Sequence, residues 1–224
     1  MPRLGKASLE LKLFNLFKFL EMPYSEYTSL SKLRQRLGVE HQALPWLSKV
    51  IIESVAPSET LQADISLGLR LPLNTEKARS ENLISPLLRE VLRKHEDEIS
   101  FFSGYGFNVD ENLGLNGNCD FLLAGRPHLL DVESPVFCLV EAKNGVVDEA
   151  YAQCAAEMYA ASIYNAQNAD VPNQTIFGCA TNGYEWVFLQ LKSKLIFIDN
   201  QHVSINNTAH LLGIFQYIIS QSKY

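Results

Sequence analysis

Cys119-Asp120-Phe121-Leu122-Leu123 and Phe137-Cys138-Leu139-Val140-Glu141-Ala142-Lys143-Asn144 are two aliphatic runs bounded by turn residues. Their length and content predict two buried strands. Successive side chains of a strand point to opposite faces, so Glu141 and Lys143 share one face and Ala142 takes the other. Asp120 opens the neighbouring strand and brings a second carboxylate to the same end of the sheet. Two acidic groups and one lysine around a point suit a divalent cation held beside a phosphate. The competing reading is a surface ion pair at a strand end for Glu141 and Lys143, and a turn-proximal aspartate for Asp120.

Outward from these strands, the pattern predicts an α/β fold. Leu13, Phe14, Phe17 and Leu20 have helical spacing over Leu9 to Leu20. Ser29 or Ser31 caps a second helix ending at Leu37, and a third is expected from Ala43 to Ser54, before Pro57. Ile65 to Leu73 alternates as a strand. A helix from about Ser80 to Lys94 carries the apolar stripe Leu83, Ile84, Leu87, Leu88, Val91 and Leu92. Pro86 either opens it with Ser85 or kinks it from inside. Strands are then expected at Phe101 to Val109, Thr175 to Ala180, Glu185 to Leu191 and Leu195 to Ile198. The turn Asn182-Gly183 joins the second and third of these. Helices are expected from Val147 to Ala166 and from Leu211 to Ser220. The order α-β-β-β-α-β reads as a mixed sheet flanked by helices. It divides the chain into a helical N-terminal extension, 1–60, and a core, 61–224. The extension is either a lid over one face of the sheet or a DNA-reading element.

The motif order resembles the PD-(D/E)XK nuclease superfamily, in particular the nuclease domains of type I restriction enzymes and their stand-alone relatives. Asp120, Glu141 and Lys143 match its signature of an acid on one strand and Glu-x-Lys on the next. Ala78 to Leu88 matches the acidic helix before the strands. Ala152-Gln153-Cys154-Ala155-Ala156-Glu157-Met158 matches the Gln-bearing helix after them, and Ala180 to Phe188 matches the later strand. The resemblance covers about Glu76 to Ile198. It implies a restriction-endonuclease-like mixed sheet and hydrolysis of phosphodiester bonds in DNA, in restriction or repair. Asp120, Glu141 and the Ala142 carbonyl are then expected to hold Mg²⁺ or Mn²⁺, and Gln153 to contact the metal shell or the substrate. Lys143 would orient the attacking water and stabilise charge on the phosphate, acting as a base only if burial lowers its pKa.

On a helical wheel Glu81 lies roughly 70° from the centre of the apolar stripe and Glu90 roughly 110°. Glu81 is therefore expected to turn inward to the metal and Glu90 to lean outward. The alternative for Glu81 is a solvated first-turn acid favoured by the helix dipole. Glu149, Gln153 and Glu157 share a helix face, and an ordinary exposed face is the competing reading there. Arg126, Lys192 and Lys194 are candidates to meet a phosphate backbone, or simple surface charges.

The 224 residues are 47% hydrophobic and 20% charged, the composition of a globular protein with one sizeable core. A formal net charge of -6 argues against a nucleic-acid coat or a histone-like role. Cys119, Cys138, Cys154 and Cys179 form no CxxC pair and lie among apolar neighbours, as buried thiols of a reducing compartment do. His41, His95, His128, His202 and His210 are scattered, so no zinc site is expected. No stretch suits a membrane span or a signal peptide. The expectation is a cytoplasmic protein with DNA as partner, in a homodimer suited to cutting two strands or in a larger restriction or repair complex. The second functional expectation is a catalytically weak or inactive nuclease fold that binds nucleic acid or protein in such a complex.

Overall fold

The computed structural model describes residues 23–168 and 175–222. The helix expected at Leu9 to Leu20 lies outside them. The chain is an α/β protein: its described residues form an open mixed sheet of eight strands with helices on both faces. The strands are β1 (Glu40–Ala43), β2 (Ser100–Gly106), β3 (Asn118–Ala124), β4 (Val136–Ala142), β5 (Ile176–Thr181), β6 (Glu185–Lys192), β7 (Leu195–Ile198) and β8 (Val203–Ser204). They lie in the order β1-β7-β6-β5-β4-β3-β2, with β8 paired to β6. β1 and β7 run parallel, as do β4 and β5, and the other pairs are antiparallel.

The helices are α1 (Leu30–Leu37), α2 (Glu59–Gly68), α3 (Glu76–Arg79), α4 (Ser85–Lys94), α5 (Tyr151–Asn168) and α6 (Thr208–Ser222). α4 and α6 cover one face of the sheet, burying Leu87, Leu88, Ile214 and Phe215 against Phe121, Val140 and Phe188. α5 covers the other, and α1 lies over it with Leu33 and Leu37 buried. The Tyr24 hydroxyl donates to the Phe107 carbonyl and pins this outer layer to the sheet. Ser29 caps α1, its hydroxyl accepting from the Lys32 amide. α5 approaches closely because Gly178 has no side chain. A Cβ there would stand 2.3 Å from Met158 Sδ and 2.8 Å from Cys154 Sγ. This contact brings Gln153 and Glu157 down onto β4. All four cysteines are buried free thiols.

Three expectations need correction. Residues 43–54 are not a helix. β1 runs into the start of this stretch and ends at Ala43, the Leu44 amide continues its pairing to Ile198, and only Leu47–Lys49 winds into a short 3-10 turn. Pro45 keeps the residue before it extended, and Asp199 accepts from the Leu47 amide at 2.7 Å. Ile65 to Leu73 is not a strand either. Ser58 caps α2, whose buried positions Leu61, Ile65 and Gly68 have helical spacing, and the alternating Leu67, Leu69 and Leu71 are exposed.

The third correction concerns the helix before β2. It starts at Thr75, whose hydroxyl accepts from the Ala78 amide, and it stays helical to Lys94 through a π turn, Ser80–Ile84. Pro86 has no N–H for the Asn82 carbonyl, and its ring would clash with that oxygen in a regular α-helix. The wider π turn moves the carbonyl aside. It comes to rest against Gly68 of α2, where a Cβ would stand 2.3 Å from Asn82 O. Among the described residues, no helix is long and apolar enough to cross a membrane.

Candidate functional site

Pairing of Phe121 with Val140 sets Asp120 beside Glu141 at the end of the β3–β4 ladder. The Lys143 amide donates to the Thr181 carbonyl at 2.9 Å, extending β4 by one residue along β5. Lys143 thus stays on the face of Glu141, toward α5, as the alternation predicts. The Ala142 amide turns the other way and donates to Asp120 Oδ2 at 2.8 Å. In a strand the N–H and C=O of one residue share an edge, so the Ala142 carbonyl also faces the Asp120 side.

Lys143 Nζ donates to Glu141 Oε1 and, at 3.1 Å, to Gln153 Oε1. Gln153 Nε2 donates to Glu157 Oε1 at 3.2 Å. An ammonium only donates and a carboxylate oxygen only accepts; the amide between them does both, which fixes its orientation. Glu141 is 1% exposed and Glu157 0%. Their carboxyls lie within hydrogen-bonding reach of each other, and Oε2 of each is buried with no other partner among the described residues.

This crowding governs protonation. Burial raises the Glu141 pKa well above the ordinary carboxylate value, the charges of Glu157 and Asp120 raise it further, and Lys143 opposes them. Burial, with Asp120 next, pushes Glu157 up to about 8, against hydrogen bonds from Gln153 and Glu141 and the charge of Lys143. Burial alone would lower the pKa of Lys143. The charge and hydrogen bond of Glu141, with Glu76 and Asp120 behind, outweigh it and raise that pKa. Lys143 is therefore an ammonium at neutral pH and donates hydrogen bonds rather than removing a proton.

Asp120, Glu141, Ala142 and Lys143 converge, and Gln153, expected there from the resemblance, joins them; Glu81 does not. It is an exposed acid paired with Lys77 at 2.7 Å. Wheel angles counted at 100° per residue fail across the π turn, and the helix begins one turn before Ser80. Glu76, in that added turn, is the acid that reaches the site. Burial and Asp120 raise its pKa, while Lys143 and a hydrogen bond from the Asn144 backbone lower it. A Thr75 cap followed by an acid was the available signal. Glu90 is also corrected: it is buried and accepts from the Ser58 amide at 3.0 Å and the Ser58 hydroxyl at 2.9 Å. Of the acids flanking Gln153, Glu157 is fully buried in the cluster, whereas Glu149 is exposed.

Arg79 braces the rim. Its Nε donates to the Leu73 carbonyl at 2.9 Å, its Nη1 to the Asn144 carbonyl at 2.8 Å, and its guanidinium lies 5.2 Å from the Tyr184 ring centroid. The segment after Lys143 is thereby tied to the Asn182-Gly183 turn between β5 and β6, where Gly183 takes φ +87°. Arg126 pairs with Glu133, and Lys194 donates to the Leu37 carbonyl above the Tyr159 ring. Lys192 is exposed at the end of β6.

Among the described residues, no three His, Cys, Asp or Glu side chains are arranged to cage an ion by themselves. A magnesium ion, however, commonly takes one or two carboxylates and keeps several waters. Asp120, Glu141 and the Ala142 carbonyl fit that donor set of hard oxygens. Glu141 Oε2, buried with no partner among the described residues beyond the neighbouring carboxyl, in a cluster that repels its own ionisation, is the observation that favours a dication there. The chain matches no protein-family model and no curated protein.

Proposed function

We propose that this chain is a Mg²⁺- or Mn²⁺-dependent nuclease with a restriction-endonuclease-like fold, hydrolysing phosphodiester bonds in DNA. The observation that carries the reading is the convergence of Asp120, Glu141, Lys143 and Gln153 at one end of β3 and β4, with a buried carboxylate oxygen of Glu141 that meets only the neighbouring carboxyl among the described residues. Asp120, Glu141 and the Ala142 carbonyl would hold the ion. Bound there, it would acidify a water and neutralise charge on the phosphate.

The chain's own groups do the rest. Lys143, held protonated, points a positive charge at the oxygens that become more negative as phosphorus is attacked. Gln153 fixes the ammonium, and Glu157 fixes the Gln153 amide. Arg79 holds the backbone after Lys143, so the ammonium and the carboxylates keep their spacing. Such placement matters because a misalignment of about 1 Å can cost on the order of 100-fold in rate.

Purified protein incubated with linear, circular and single-stranded DNA and with RNA, with Mg²⁺ or Mn²⁺, tests the proposal. DNA cleavage that requires both the metal and Lys143 is expected; cleavage of circles makes the enzyme an endonuclease. Absence of such cleavage counts against it. A second reading is a nuclease-fold module that binds nucleic acid or protein within a larger restriction or repair complex. The net charge of -6 and the engagement of Lys143 by Glu141 and Gln153 favour it. Capture of DNA without metal, unchanged by Glu141→Ala, would support that reading, and efficient turnover by the isolated chain would remove it.

A further inference from the structure

A second concavity, of about 440 Å³, opens between α4, the start of β2 and the segment after β3. Ser100 pairs with Ala124, so it lies at the far end of β3 from Asp120, roughly 13 Å along the strand. The cavity opens beneath α4, with Leu92, Ile99 and Phe101 in its wall, whereas Asp120 and Glu141 lie on the α5 side.

Its walls carry Arg89, Arg93 and His128 against a single acid among the described residues, Glu96. That is a local excess of basic groups on a chain with a formal net charge of -6. Arg89 and His128 are exposed, and their side chains make no hydrogen bond or ion pair among the described residues. Arg93 donates through Nη1 to Glu90 and Ser58, leaving Nε and Nη2 for another acceptor. The floor is apolar, formed by Leu129 and Phe101. Phe121 covers one side of the Phe101 ring, nearly parallel with centroids 5.8 Å apart.

We propose that this cavity binds a nucleotide, its phosphomonoester held by Arg89, Arg93 and His128 and its base laid on Phe101. Guanidinium forks match phosphate oxygens in charge and geometry. A flat base stacks on an aromatic ring whatever its identity. Glu96 offers the one carboxylate acceptor in the wall, suited to a sugar hydroxyl or a base amine. The volume is that of a small-molecule site. A bare anion would not need the apolar floor, and an apolar ligand would not need three basic groups. The nucleotide comes either free from solution or as the 5′-phosphorylated end of a DNA strand. This inference does not depend on the carboxylate cluster.

Calorimetric titration of the full chain, in EDTA so that no dication contributes, tests it. The probes are dAMP, deoxyadenosine, inorganic phosphate, and an oligonucleotide with and without a 5′-phosphate. dAMP is expected to bind at least about tenfold more tightly than deoxyadenosine or phosphate. Arg89→Gln and His128→Asn should each weaken dAMP by about tenfold. Asparagine is chosen because His128 has φ +56°, which asparagine tolerates. Circular dichroism checks that both variants fold. Tighter binding of the 5′-phosphorylated oligonucleotide than of dAMP identifies a strand end as the ligand, and the reverse identifies the free nucleotide. Binding of dAMP no tighter than phosphate, or unaffected by both substitutions, overturns the proposal.

Discussion

Glu157→Gln should stabilise the protein at alkaline pH and leave it nearly unchanged in mild acid. Glu157 is fully buried, and its pKa rises from an ordinary 4.5 to about 8 through burial and the charge of Asp120. Between those values the folded chain keeps a proton that the unfolded chain has released. Stability therefore falls as pH rises, by at most about 1.4 kcal/mol per unit, and the full cost is present above the folded pKa. Taken whole, the shift amounts to roughly 5 kcal/mol. Protonation of Glu157 is coupled to that of Glu141, so the part that a change at Glu157 alone recovers is smaller, on the order of 2–3 kcal/mol. Glutamine mimics the protonated acid: its oxygen still accepts from Gln153, and its amide donates to Glu141 Oε2, which has no other partner among the described residues. Urea denaturation of both proteins at about pH 5 and about pH 8.5 measures the difference. The variant should gain ~2–3 kcal/mol at the higher pH and less than about 1 kcal/mol at the lower. An offset that is the same at both pH values would refute the account of the carboxyl pair.

Lys143→Ala should lower the DNA cleavage rate by about 100- to 1000-fold in single-turnover assays while the protein stays folded, because the side chain is partly exposed and its main loss is a charge beside the phosphate. Glu81→Gln should leave the rate unchanged, since Glu81 meets only Lys77, whereas Glu76→Gln should reduce it by about tenfold, ~1.4 kcal/mol; the reverse order would restore Glu81 to the site. Glu90→Ala should destabilise the fold by about 2–4 kcal/mol in urea titrations, since it strips two acceptors from Ser58 and the partner of Arg93. Burial raises the Glu90 pKa, but the Ser58 hydrogen bonds and the charges of Arg93 and Lys94 outweigh it and lower it. Its contribution is therefore present above the unfolded value, near 4.5, and the loss caused by Glu90→Ala should shrink as pH falls below it.

The strands that frame the site were legible because β3 and β4 are short, unbroken aliphatic runs, and period two alone puts Glu141 and Lys143 on one face. Asp120 followed from its place at the mouth of the hairpin. The helices were harder. Leu67, Leu69 and Leu71 imitate a strand, yet they face solvent, and the Ser58 cap and the 61-65-68 spacing decide for helix. A π turn inserted ahead of Pro86 breaks the uniform rotation on which any wheel depends, so Glu81 was carried to the wrong side and Glu76 was passed over. Glu157 has no local signature of burial. Its position depends on Gly178 letting α5 sit close on the sheet, a contact between segments far apart in the chain. Glu90 likewise turns inward only because the capped start of α2 lies beside it.

Anomalous diffraction from crystals soaked in Mn²⁺ bears most directly on the claim that these side chains form a metal-dependent catalytic centre. The account predicts a manganese peak coordinated by Asp120, Glu141 and the Ala142 carbonyl, with Lys143 alongside, and its loss in Glu141→Ala crystals. Well-ordered Asp120 and Glu141 with no peak between them, or a peak that survives Glu141→Ala, would contradict it.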